Sequence, residues 1–175
     1  MKKAITLFLI LTMLVGGGSI FTALASDNND TSMPQANVVY LPIGSSFAAA
    51  SQNTGLTDTG ADCGLRGYTA VDLGTNGSSA INWALGATAA MRSTYNYKVA
   101  SGNLILRLQG SPTASIVLYL YDSTDSCVAQ KTVQVSTSNI VQITFNNLFA
   151  NREYYVKIEN VCQFNTTVTG SIAAS

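Results

Sequence analysis

Histidine is absent from all 175 residues, and only 10% of the side chains are charged. The first absence removes the commonest general base and a leading metal ligand, so Ser-His-Asp and Cys-His nucleophilic sites and histidine-bearing zinc sites are excluded. The second leaves nine basic residues balanced by nine acidic ones. That is too few cations for the clustered patch that nucleic acid requires. Glutamate occurs only at Glu153 and Glu159, at the two ends of one predicted strand. Neither lies in a loop where it would serve as the raised-pKa acid of a glycosidase. The residues therefore predict a protein that is not an enzyme.

The first 25 residues read as an address. Lys2 and Lys3 precede an apolar run from Ala4 to Val15, Gly16-Gly17-Gly18 interrupts it, and Ala23-Leu24-Ala25 has the small residues of a secretory cleavage site. Residues 1–25 are thus expected to form a signal peptide helix, with the mature chain starting near Ser26. Losing Lys2 and Lys3 leaves seven basic against nine acidic residues, a formal charge of −2. So small a charge steers no partner strongly. The expected location is secreted, extracellular or at the cell surface.

Export makes disulfides chemically permitted, and the mature chain has Cys63, Cys127 and Cys162. An odd number allows at most one internal bridge. Cys127 follows a turn-rich stretch (Asp122 to Ser126) and Cys162 follows a strand-like run ending at Val161. A Cys127–Cys162 disulfide is the expected pairing, with the other pairings left open by the spacing. Cys63 is then a free or intermolecular thiol.

Along the mature chain, residues 26–37 are polar and read as a flexible leader. Residues 38–175 read as a single β-sandwich domain with an N-terminal strand segment at 38–50. Val38 to Ile43 is β-branched and apolar, but Pro42 demotes it to an edge strand. Gln52 to Gly67, rich in Gly, Thr, Asp and Asn, reads as loop. Ser79 to Met91 is ambiguous, since Ser79 can cap a short helix that Gly86 would interrupt. From Tyr95 onward the pattern is regular. Leu104, Leu106 and Leu108 share one face, Ile116 to Tyr121 is continuously apolar, and Val141, Ile143 and Phe145 alternate with polar neighbours, as do Tyr154, Val156 and Ile158. Strands punctuated by turns at such intervals predict an all-β fold, an antiparallel sandwich.

The stretch Tyr97-Lys98-Val99-Ala100-Ser101-Gly102-Asn103-Leu104-Ile105-Leu106-Arg107-Leu108, followed by Ile116 to Ser123 and Tyr154 to Ile158, resembles bacterial pre-peptidase C-terminal domains. The resemblance covers roughly residues 94 to 172. It implies a secreted, jelly-roll-like sandwich of the kind appended to enzymes, engaged in binding or secretion. The chain departs from the pattern at Ser93 and Thr94, where the family commonly carries an acidic residue before the paired aromatics. A catalytic domain of the kind such modules are appended to is not expected in this sequence. Leu148 and Tyr154 in turn resemble the tyrosine corner of fibronectin type III domains, in which the tyrosine hydroxyl ties back to backbone. Trp83 suits the core of either family.

Two groups of residues are candidate sites. Tyr97, Tyr119, Tyr121 and Tyr155 are candidates for an exposed aromatic face that binds a sugar or a protein partner. Asp122 and Asp125 are the candidate oxygen ligands of a calcium ion, although such aspartates also serve ordinary turns. No other cofactor is implied, and no nucleic-acid partner or membrane span in the mature form is expected. The function these features predict is a secreted, non-catalytic module that binds a cell-surface or extracellular polysaccharide or protein. The alternative is a self-assembling subunit of an extracellular fibre or coat, with Val38 to Ile43 lent to a neighbouring copy. A secreted hydrolase ranks last.

Overall fold

The computed structural model describes residues 33–45, 52–64, 69–100 and 102–175, all within the compact unit Ser32–Ser175. The expected signal peptide, most of the polar leader and the patch Phe47 to Ala50 lie outside the described residues. The described chain forms twelve strands and, among the described residues, no helix. They are β1 (Gln35–Pro42), β2 (Gln52–Asp58), β3 (Ala70–Gly74), β4 (Gly77–Leu85), β5 (Ala90–Arg92) and β6 (Asn96–Val99), then β7 (Leu104–Ser111), β8 (Ala114–Asp122), β9 (Cys127–Val135), β10 (Asn139–Asn146), β11 (Glu153–Asn160) and β12 (Thr166–Ala174).

Two sheets pack face to face as a sandwich. Sheet A has the order β1-β10-β7-β12-β4-β2, and sheet B has the order β3-β6-β11-β8-β9, with β5 also paired to β11. Strict alternation makes the core. Leu104, Leu106 and Leu108 of β7 face Ile116, Leu118 and Leu120 of β8 and Val156 and Ile158 of β11 across the inter-sheet space, all of them fully buried. The intervening residues point outward, because successive strand side chains alternate between faces.

Two expectations change, and one ambiguity is resolved. The sandwich is mixed, not wholly antiparallel: β2 runs parallel to β4 and β3 runs parallel to β6. Residues 52–58 are a strand despite their polar composition, since Thr54 Oγ1 lies 2.7 Å from Ser79 Oγ and Asp58 is anchored in the interior. Ser79 to Leu85 belongs to a strand, with Ile81, Trp83 and Leu85 inward and Ala80, Asn82 and Ala84 outward. This period of two, not the capping serine, governs the segment. As Pro42 suggests, β1 is an edge strand of sheet A, and it begins at Gln35, inside the expected leader.

Candidate functional site

A buried polar cluster is centred on Asp58, which is wholly inaccessible. Its Oδ1 accepts hydrogen bonds from the Gly60 N–H, the Thr94 N–H and Trp83 Nε1, each at 2.9 Å, and its Oδ2 accepts one from the Tyr97 hydroxyl at 2.6 Å. Trp83 belongs to sheet A and Tyr97 to sheet B. One carboxyl group therefore ties the two sheets together and satisfies the only polar atoms of two large core aromatics. Burial, followed by the neighbouring Asp58, pushes the Tyr97 phenol far above its usual range. The Asp58, Trp83 and Tyr97 side chains of this cluster are buried within the sandwich.

Tyr97 was expected on the exposed aromatic face with three other tyrosines. The structure turns it inward, because β6 places Asn96 and Lys98 outside and Tyr97 and Val99 inside. The remaining three do meet. Tyr119 and Tyr121 of β8 and Tyr155 of β11 stand on the outer face of sheet B, with Tyr155 directly opposite Tyr121. The Tyr121 and Tyr155 rings are stacked at 5.1 Å with an interplanar angle of 6°, and the Tyr119 ring tilts toward Tyr121 at 6.3 Å. On the opposite face of Tyr155 lies the Arg92 guanidinium, its Cζ 3.6 Å from the ring centroid. Sequence reasoning missed Arg92. It comes from β5, and its Nη2 donates to Asn96 Oδ1 at 2.9 Å.

Charged groups frame the rings. The Tyr119 hydroxyl donates to Glu159 Oε2 at 2.9 Å, Lys157 Nζ donates to Glu159 Oε1 at 2.7 Å, and the Tyr155 hydroxyl donates to Asp125 Oδ1 at 3.0 Å. The Lys157 ammonium holds the Glu159 carboxyl below its usual range and is itself raised by it. Burial, then the Asp125 hydrogen bond, pushes the Tyr155 phenol up to about 12. Cys63 is exposed and near enough to Lys157, Arg92 and Glu159 to feel their charges, but burial is the largest influence and raises its thiol. A thiol shifted that way is a poor nucleophile.

At one end of this face lies an open hollow of about 510 Å³ lined by Ser123, Phe149, Ala150, Asn151, Arg152 and Glu153. Glu153 is two residues from Tyr155 on the same face of β11, so the hollow continues the tyrosine platform. Phe149 is 59% exposed there, with the Arg152 guanidinium 5.0 Å over its ring. The loop is fixed by Tyr154, whose hydroxyl accepts from the Phe149 N–H at 2.9 Å, five residues upstream.

The candidate calcium ligands are both engaged by protein groups. Asp122 is buried, and its Oδ1 accepts from the Thr124 N–H at 2.9 Å, the Thr124 hydroxyl at 2.6 Å and the Ser126 N–H at 3.2 Å. Its Oδ2 faces Arg152 Nη1 at 3.5 Å. Burial alone would raise the Asp122 carboxyl, but these hydrogen bonds and the arginine outweigh it and hold the group low. This is turn chemistry. Asp125, at φ 60°, is the acceptor for Tyr155.

The expected Cys127–Cys162 disulfide is not formed, and all three cysteines are free thiols. Geometry forbids that pair. Cys127 stands opposite Tyr121 near one end of β8, whereas Cys162 Sγ lies 3.3 Å from the Ser115 N–H at the other end. Six strand residues separate those ends by about 20 Å, and a disulfide needs Cα atoms within about 7 Å. Sequence position showed that both cysteines lie at loop ends, but not that the ends are opposite. No protein-family model matches the chain, and no curated protein is significantly similar to it.

Proposed function

We propose that the chain is a secreted, non-catalytic β-sandwich module that holds an extracellular protein partner against the outer face of sheet B. The observation that carries this reading is the clamping of Tyr155 between Tyr121 and Arg92. A sugar stacks on an open ring face, and here both faces of the central ring are already taken. What the platform offers is a rigid set of ring edges, hydroxyls and paired charges beside an exposed phenylalanine. Tyrosines held this way are among the residues that dominate protein–protein hot spots, because little side-chain freedom is lost on contact. Arg92 is itself buried against Tyr155, and the remaining charges are few and engaged (Lys157 with Glu159, Asp125 with the Tyr155 hydroxyl), which favours a partner matched residue by residue over one drawn by net charge. The basic start, apolar run and small-residue exit of residues 1–25 support export.

We also read the winding as jelly-roll-like. Its last strand, β12, lies in sheet A between β7 and β4, whereas a fibronectin-like sandwich sets its final strand beside the penultimate one.

The test uses fluorescently labelled chain on the surface of the producing cells, treated beforehand with protease or with periodate. Binding that disappears after protease, survives periodate and weakens in Tyr121→Ala is the expected result. Binding that survives protease and disappears after periodate would assign the face to a polysaccharide and overturn the protein reading. Absence of any surface binding would overturn both.

A further inference from the structure

We propose that β1 is exchanged between copies, so that the β1 of one chain pairs with the β10 of a second copy of the same chain. The inference stands apart from the partner face on sheet B and rests on the topology of sheet A.

β1 and β2 follow one another in sequence yet occupy opposite edges of that sheet, with β10, β7, β12 and β4 between them. Five strand spacings make a lateral distance of about 24 Å. Following the register from Pro42–Asn139 through the intervening pairs to Gln52–Gly77 also displaces the two ends by about six residues, or about 20 Å, along the strands. The separation across a flat sheet is then about 31 Å, which twist shortens by a few ångström.

Nine residues, 43–51, make this connection, and the first of them are folded back. The Ser45 N–H and hydroxyl both donate to the Pro42 carbonyl, at 3.2 and 2.7 Å, with Gly44 at φ 84°. A turn of this kind spans less than about 7 Å, and the seven remaining steps to Gln52 reach at most about 25 Å. The chain length available to join the two edges within one copy therefore barely exceeds the distance between them. A connection this short for the distance favours strand exchange, because the exchanged form makes the same pairing without having to join the two edges of one sheet.

β1 is suited to leave. None of the buried apolar core residues comes from it, and only Ala36 and Val38 pack partly against the core. It is held chiefly by eight register positions along β10. Neither strand carries a charge that would repel a second copy. Val39, Tyr40 and Ile43 remain about half exposed, apolar surface that a close second copy can cover.

Val39 and Gln142 stand directly opposite each other in the β1–β10 register and supply the test. In a chain whose three natural cysteines are replaced by serine, Val39→Cys and Gln142→Cys are introduced together and oxidised. Exchange gives a covalent dimer on a denaturing, non-reducing gel. A cross-linked monomer overturns the proposal. Light scattering decides the matter if no cross-link forms. At about 100 µM the natural chain is expected to be dimeric or larger, and to become monomeric when about eight Gly and Ser residues are inserted after Ser45. A natural chain that is monomeric at that concentration, or an oligomer unchanged by the insertion, overturns the proposal.

Discussion

Replacing Asp58 with alanine would strand the Trp83 indole N–H, the Tyr97 hydroxyl and the Thr94 N–H inside the sandwich at once. Each buried donor without a partner costs about 1–3 kcal/mol, so Asp58→Ala is expected to lose roughly 3–5 kcal/mol of stability in a urea titration. Trp83→Phe, which removes one donor and leaves Asp58 three others, is expected to lose less than Asp58→Ala. A loss below about 1 kcal/mol for Asp58→Ala would contradict the role of this carboxyl group as the tie between the sheets. The phenols set the alkaline limit. Tyr97 and Tyr155 have folded pKa values above the ordinary 10.0, Tyr155 at about 12, so the folded state holds protons that the unfolded state releases. Their contribution is complete below pH 10.0 and is lost as pH rises from there through 12. Melting temperature should therefore fall steadily above about pH 10, and less steeply in Tyr155→Phe. On the acid side the sign reverses. Asp122 and Glu159 are held below their ordinary 3.8 and 4.5, so their stabilisation is present above those values and fades as pH falls below them.

At the scale of the element, two local devices hold strands in place. Gly170 sits in β12 with φ 153°, and a Cβ there would fall on the Arg107 carbonyl of β7. The obstruction is backbone, which cannot swing aside. Gly170→Ala is expected to separate β12 from β7 locally, with faster amide exchange at Arg107 to Gln109 and a drop of several degrees in melting temperature. Unchanged exchange would contradict that reading. Tyr154→Phe leaves the buried ring in place but removes the hydroxyl tie to Phe149, and about 1–2 kcal/mol should be lost in chemical unfolding. β7, β10 and β11 were legible because apolar residues recur at every second position, and β8 because its run is continuously apolar. β2 was not, because its Thr, Asn and Gly residues carry turn composition. Its strand character comes from pairing with β4 and from Asp58, three of whose four partners lie 25, 36 and 39 residues away. No local pattern in the chain announces contacts so distant.

For the whole molecule, strand patterns punctuated by turns foretold an all-β sandwich. Three of the four candidate tyrosines were legible as one face, since Tyr119, Tyr121 and Tyr155 sit at outward positions of strands that alternation defines. Two things needed the third dimension: that Arg92 reaches Tyr155 from the short strand β5, and that Cys127 and Cys162 lie at opposite ends of β8. The outer faces of the two sheets also differ in chemistry. That of sheet B carries the tyrosine–arginine stack, whereas that of sheet A presents Asn82, Thr167 and Thr169 among other small or polar side chains. The most direct measurement therefore compares cell-surface affinity across the two faces. Tyr121→Ala with Tyr155→Ala on sheet B is set against Asn82→Ala with Thr169→Ala on sheet A, each variant first shown to be folded by circular dichroism. Loss of the stack should weaken binding by about 30-fold or more, the scale of a removed hot spot, while the sheet A variant binds as the natural chain does. Equal affinity in both variants, or a loss confined to the sheet A variant, would contradict the assignment of partner binding to sheet B.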